Sequence, residues 1–184
     1  MARWEPVLDE VMRERSPRLL AYARLLTGDD AEAQDVLQDA LVRSFSRGRA
    51  FDNANVAEAY VRRAIPSVFI DRLRRRKAAE RAHDRDVALG GRDVLTSDRD
   101  VVIDVRAALA ALPPQERACV VLRFYDDLTV PQVSAQLGIA EGTVKRYLSD
   151  ASGKLARLLG EEIDASHEAA GVPVISPAVK GARP

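Results

Sequence analysis

The feature that most constrains this chain is the stretch LTVPQVSAQLGIAEGTVKRYLSDASGKLARLL, residues 128–159. Thr129 followed three residues later by Gln132 is a capping box, and Pro131 falls in the first turn, where a missing N–H costs little. Gly138 then supplies the left-handed geometry that stops a short helix in a tight turn. The next helix begins near Glu141 and keeps Val144, Leu148, Ala151, Leu155 and Leu158 on one face. Cap, turn glycine and two amphipathic faces at this spacing make a helix-turn-helix, whose second helix conventionally enters the DNA major groove.

Helical periodicity extends over most of the chain, and alternating strand patterns are almost absent. Glu5 to Leu26 reads as two short helices or one kinked helix, broken at Ser16-Pro17 and closed by Thr27-Gly28. A second helix starts about Asp30, with Val36, Leu37, Ala40, Leu41 and Phe45 as its apolar stripe. Ser46 to Asn55 is a loop. A third helix runs from Val56 to about Arg81, with a kink expected at Pro66 and the basic run RLRRRK, residues 72–77, near its end.

Periodicity dissolves between Arg85 and Asp98, a stretch containing LGGRDVLTSD. It resumes as a helix over Val101 to Leu112, stops at Pro113-Pro114, and returns from Gln115 to Tyr125 with Ala118, Val121 and Leu122 inward. The expected fold is therefore all-α, with two small helical domains: residues 1–85 as a bundle, 86–100 as a flexible linker, and 101–160 as the helix-turn-helix domain. Residues 161–184, with Pro and Gly but few apolar anchors, are expected to be a disordered tail.

Composition narrows function mainly by exclusion. Cys119 is the only cysteine, which leaves no internal disulfide and favours a small core residue; with His83 and His167 it offers no zinc-ligand spacing. No glycine-rich phosphate loop and no nucleophile with a nearby histidine is legible, so neither an enzyme nor a cofactor is expected. No apolar run approaches the roughly 20 residues that cross a bilayer, and the charged start lacks a signal peptide's apolar stretch; the expectation is a cytoplasmic protein without membrane insertion.

Lys plus Arg equals Asp plus Glu, 28 each, so local rather than total charge must direct any contact with DNA. Residues 103–160 carry seven cations against six anions, too small an excess for tight autonomous binding. On the second helix of the helix-turn-helix, Thr143, Lys145, Arg146, Ser149 and Asp150 point away from the apolar face, and the two cations can reach guanine edges or phosphates. RLRRRK, with Arg62 and Arg63 upstream, offers a second phosphate-binding face. Asp35, Gln38, Asp39 and Val42 form a mixed acidic, amide and apolar face that phosphate would reject and a protein partner would suit.

These segments resemble one family. DAEAQDVLQDALVRSF resembles the polymerase-binding helix of region two in extracytoplasmic-function sigma factors, and AYVRRAIPSVFIDRLRRRK resembles the helix of that region that melts and reads the minus-ten element. The stretch from Ala108 to Leu158 is similar to region four, which reads the minus-thirty-five element; together the resemblance covers about residues 17–160.

The resemblance implies core RNA polymerase and promoter DNA as partners, and an anti-sigma factor that covers the same faces. It places Asp35, Gln38, Asp39 and Arg43 against the coiled coil of the polymerase's largest subunit. Tyr60, Arg62, Arg63, Asp71, Arg74, Arg75, Arg76 and Lys77 fall on the minus-ten face, and Thr143, Lys145, Arg146 and Ser149 on the recognition helix. Two places depart from the pattern: Pro66-Ser67 stands where Arg-Asn is common, and Ser149-Asp150-Ala151-Ser152 where a second basic cluster is common. The alternative is a regulator that uses the same helix-turn-helix to bind a symmetric site as a dimer, without polymerase.

Overall fold

A computed structural model describes residues 4–46, 49–83 and 105–169. Every regular element among the described residues is helical. The first unit opens with α1 (Glu5–Glu10), which passes through a π-helical segment (Val11–Arg15) into α2 (Ser16–Thr27). The irregular turn sits where Ser16-Pro17 interrupts the sequence pattern, and Pro17 occupies the first turn of α2, where its missing N–H breaks no helical bond. Gly28 caps α2 at φ 71°, donating its N–H to the Arg24 carbonyl at 2.9 Å.

α3 (Asp30–Phe45) follows at once because Asp29 is extended and its carboxylate accepts the Glu32 N–H at 2.7 Å. α4 (Ala54–His83) starts two residues before Val56 because the Asn53 side chain caps it, accepting the Val56 N–H at 3.1 Å. Pro66 lies inside α4, which continues through it as one helix of 30 residues. The proline lacks the N–H that would bond the Arg62 carbonyl, but packing on both sides carries the helix across. α2, α3 and α4 enclose a core of Leu19, Leu26, Val36, Val61, Ile65 and Phe69, all 1% exposed or less. One end is closed by rings: Phe45 lies 6.5 Å from Trp4 and 5.0 Å from Phe51.

The second unit consists of α5 (Val105–Ala110), α6 (Pro114–Val120) with a π-helical continuation (Val121–Tyr125), α7 (Val130–Leu137) and α8 (Glu141–Ala169). Pro113 precedes α6 and Pro114 opens it, as their ring geometry favours. The capping box at Thr129 and Gln132 is formed, and Gly138 ends α7 at φ 60°. The Ser134 hydroxyl donates to the Ile139 carbonyl at 2.6 Å, tying the turn to α7. Leu112, Leu122, Val133 and Val144 fill the core between these helices. Lys154 of α8 meets the buried Glu116 carboxylate at 2.6 and 2.8 Å, so α6 and α8 are joined by an ion pair as well as by packing.

The structure corrects the sequence reading at one boundary and shortens another helix. α8 does not stop at Gly160: it runs to Ala169, through residues expected to begin a disordered tail. Once a helix is nucleated each further residue adds one hydrogen bond, and EEIDASHEA is rich enough in Glu and Ala to continue past one glycine. α5 closes at Ala110 rather than Leu112, ahead of the proline pair. The proposed linker, residues 86–100, and residues 170–184 lie outside the described residues.

Phe69 is the largest side chain buried to this degree, at 1% exposure. Replacing it, Phe69→Ala, is expected to lower the unfolding free energy by about 3–5 kcal/mol in urea titration, while Val42→Ala on the exposed face of α3 should change it by no more than about 0.5 kcal/mol.

Candidate functional site: three polar faces

The outer face of α3 carries Asp35, Gln38, Val42 and Arg43, all exposed, with Asp39 half-buried beside them. Its carboxylates are not left to solvent. Arg72 of α4 donates to Asp39 at 2.6 Å and to Asp35 at 2.9 Å, and Arg76 reaches Glu32 at 2.8 Å. Arg43 in turn pairs with Asp71 at 3.2 Å. The hydrogen bond it donates to Asp39 is the main reason that Arg72 holds its proton more tightly than usual, against the opposing effect of its burial. The basic run therefore divides. Arg72 and Arg76 clamp α4 to α3 and set the angle of the acidic face, while Arg75 and Lys77 stand exposed. In the sequence Arg72 counts only as part of the phosphate-binding run RLRRRK, not as a clamp on α3. Its signal was available in the four-residue spacing of Arg72 and Arg76, which matches the rows of acids on an adjacent helix.

The second face belongs to α4. Tyr60 is 39% exposed, with the Arg49 guanidinium 4.5 Å over its ring and Phe51 at 5.4 Å. Further along, α4 meets the second unit. Arg62 pairs with Asp126, which also accepts the Tyr22 hydroxyl, and its guanidinium lies 4.7 Å over Tyr22 and 5.2 Å over Tyr125. Burial first, and then Asp126, push the Tyr22 hydroxyl far above its ordinary value, so it remains a neutral donor. The Arg63 carbonyl accepts from the Gln136 amide, and the Ser67 hydroxyl donates to the Gln136 carbonyl at 3.1 Å. Arg74 donates to the carbonyls of Leu137 and Gly138 at 2.8 and 3.1 Å. Of the candidates on this face, Arg62, Arg63 and Arg74 lie at the seam between units, whereas Asp71 pairs with Arg43. Tyr22, Asp126 and Gln136 were not singled out from sequence. Asp126 lies 104 residues from Tyr22, and no local pattern announces a contact of that range.

The third face is the start of α8. Lys145, Arg146, Ser149 and Asp150 are exposed, and Thr143 is half-buried. Arg146 lies 5.3 Å over the Tyr147 ring, whose hydroxyl donates to Gln115 at 2.6 Å, so the face is braced against α6. Cys119 is fully buried between these helices; burial, with the nearby Glu116 charge, pushes its thiol up to about 12, which makes it a packing residue and a poor nucleophile. An apolar cleft between the two units is lined by Leu25 of α2 and by Leu109, Val120, Val121, Phe124 and Leu155. Among the described residues no cluster of His, Cys, Asp and Glu could hold a metal, and no helix is long and apolar enough to cross a membrane.

Comparison with known proteins gives this arrangement a family. Residues 11–79 match Sigma-70 region 2, and residues 103–155 match Sigma-70, region 4. The RNA polymerase sigma-E factor of Streptomyces coelicolor is 32% identical over 160 residues, covering 85% of this chain and 89% of its own. The ECF RNA polymerase sigma factor SigM of Mycobacterium tuberculosis is 33% identical over 153 residues, covering 83% and 76%. In fold, the chain is similar to the sigma factor RpoE of Bartonella quintana, solved in complex with the anti-sigma factor NepR, with a TM-score of 0.52 at 23% identity over 78% of this chain and 91% of that one. The chain belongs to the sigma-70 family of RNA polymerase sigma factors, among its extracytoplasmic-function members. Sigma factors are transcription initiation factors without an enzymatic activity of their own.

Alanine at Lys145 or Arg146 is expected to leave stability within about 0.5 kcal/mol, since both are exposed, yet to cost about 1–3 kcal/mol of affinity for duplex DNA if the side chain reads a base. Binding measured across single-base-pair variants of an upstream promoter duplex separates the roles. Preference relaxed at one base pair marks a base contact, and a uniform loss marks a phosphate contact.

Proposed function

We propose that the first unit docks on core RNA polymerase through Asp35, Gln38, Asp39 and Arg43, and that the two DNA-facing surfaces read a promoter only once that dock is made. Tyr60, Arg62, Arg63, Asp71, Arg74, Arg75, Arg76 and Lys77 take the minus-ten strand, and Thr143, Lys145, Arg146 and Ser149 hold the minus-thirty-five duplex. In domain terms, residues 1–85 act as region two and residues 101–160 as region four, with 86–100 between them. Supporting this is one observation above the rest: the acidic face of α3 is held rigid by Arg72 on Asp35 and Asp39, which pre-organises an exposed surface of mixed chemistry that nucleic acid would repel. Capturing one unstacked base against a side chain such as Tyr60 is worth roughly 1–3 kcal/mol, enough to bias which sequence melts.

The chain carries no nucleotide chemistry in this reading; polymerase supplies it, and the protein works in the cytoplasm. An anti-sigma factor is the natural inhibitor, because a relative of similar fold was solved bound to one and because such a protein would have to cover these same faces. Charge reversal at the dock tests the proposal. Asp35→Lys should weaken capture by purified core polymerase at least tenfold, equivalent to about 1.4 kcal/mol, with an unchanged helical circular-dichroism spectrum. Gln38→Ala should weaken it in the same direction without disturbing Arg72. Wild-type affinity in both variants would remove this face from the interface.

A further inference from the structure

One exposed side chain of α8 carries the wrong charge for a helix that is to lie between phosphates. Asp150 stands one turn beyond Arg146 on the exposed side of the helix, about 6 Å further along its axis. A carboxylate there gains nothing from a duplex backbone and is repelled by it, unless a group in the groove donates to it. The protein does not neutralise this charge. The two cations within helical reach, four residues before and four after, are engaged elsewhere: Arg146 lies 5.3 Å over the Tyr147 ring, and Lys154 donates to both oxygens of Glu116 at 2.6 and 2.8 Å. Arg157, two turns on, turns its Nε to the Gly153 carbonyl at 3.2 Å. Among the described residues, Asp150 therefore keeps both carboxylate oxygens free for a ligand.

The helix around it is pared down. Residues 149–153 read Ser-Asp-Ala-Ser-Gly, and of these only Ala151 is buried. Gly153 lies in the interior of α8, where glycine weakens a helix relative to alanine, yet a Cβ there would meet nothing within 4 Å. Packing within the protein does not call for this glycine. Short side chains do allow another surface to come close, and an aspartate, with its short reach, needs that approach to touch a base edge.

The base edges decide what such a carboxylate can accept from. In the major groove guanine shows two acceptors and thymine an acceptor and a methyl group, so only cytosine N4 and adenine N6 donate. Adenine's amine sits beside its N7 acceptor, which would face the second carboxylate oxygen; cytosine's amine adjoins a C–H edge. We propose that Asp150 is a specificity-determining residue, which accepts from cytosine N4 and rejects guanine at one position of the upstream duplex, about two base pairs from the one that Arg146 reaches. The inference rests on the assignment of α8 as the recognition helix and adds the identity of a base. A site without that cytosine leaves a desolvated carboxylate unpaired, so the residue acts on specificity more than on affinity.

The test uses the full chain bound to purified core polymerase and a library of duplexes randomised across both promoter elements, with the bound fraction sequenced. Wild type should enrich cytosine over guanine about tenfold at one upstream position. Asp150→Ala should flatten that position to within about twofold and leave the others as they were, and Asp150→Asn should move it toward adenine, whose N6 and N7 an amide matches. Both variants should keep the helical circular-dichroism spectrum of wild type, since the side chain they replace is exposed and unpaired. The same selected sequence from wild type and Asp150→Ala would overturn the inference. So would a uniform gain in affinity for every sequence, which would make the carboxylate a general repellent of phosphate. Lys145→Ala and Arg146→Ala, selected in parallel, separate this failure from that of the recognition helix. If they too leave the selected sequence untouched, the assignment of α8 falls as well; if either alters it, α8 stands and Asp150 alone is removed from the readout.

Discussion

The cations of α4 are answered from within the chain, and the arrangement of everything else depends on how. Arg72 and Arg76 are held by acids of α3, Arg62 by Asp126, and Arg74 by the carbonyl end of α7. A helix carrying this much positive charge would otherwise repel itself and leave α3's acids unpaired on the same side of the bundle. Individually such half-exposed pairs contribute little, about 0–1 kcal/mol each. Their effect is geometric: they fix which way α4 faces, and so which of its cations remain for a partner.

The same logic explains how a chain of zero net formal charge can belong to a family that engages promoter DNA. The acids that face α4 are spent internally, on its guanidiniums. Arg75 and Lys77 stay exposed, with Arg63's side chain at the seam's edge, and each is able to add a phosphate contact without breaking an intramolecular one among those described. Salt weakens such contacts to phosphate through counterion release.

Much of this was legible in the sequence, and the parts that were not share a physical cause. Elements set by neighbours in the chain could be read directly: the capping box at Thr129, the helix stops at Gly28 and Gly138, the helix break at Ser16-Pro17, and the core stripe of α3. The faces on α3 and α8 were legible too, because 3.6-residue periodicity tells which side of an isolated helix is wet. The end of α8 was misjudged because Gly160 was read as a stop, when a helix already formed propagates across one unfavourable residue. What local pattern could not give was the pairing of faces. Asp126, Tyr22 and Gln136 acquire their roles only from tertiary contact, and an aspartate beside another aspartate in a turn looks like ordinary solvent-facing punctuation.

Two weak DNA-reading surfaces on one chain gain from being linked only when their separation suits both target elements at once; the second contact is then effectively intramolecular. In this structure α7 lies on α4 and packs against α8, so the separation of the two surfaces is set by the contacts of α7. The apolar cleft between Leu109, Phe124 and Leu155 is lined on its other side by Leu25 of α2, so a ligand seated there would touch both units and hold them in this arrangement.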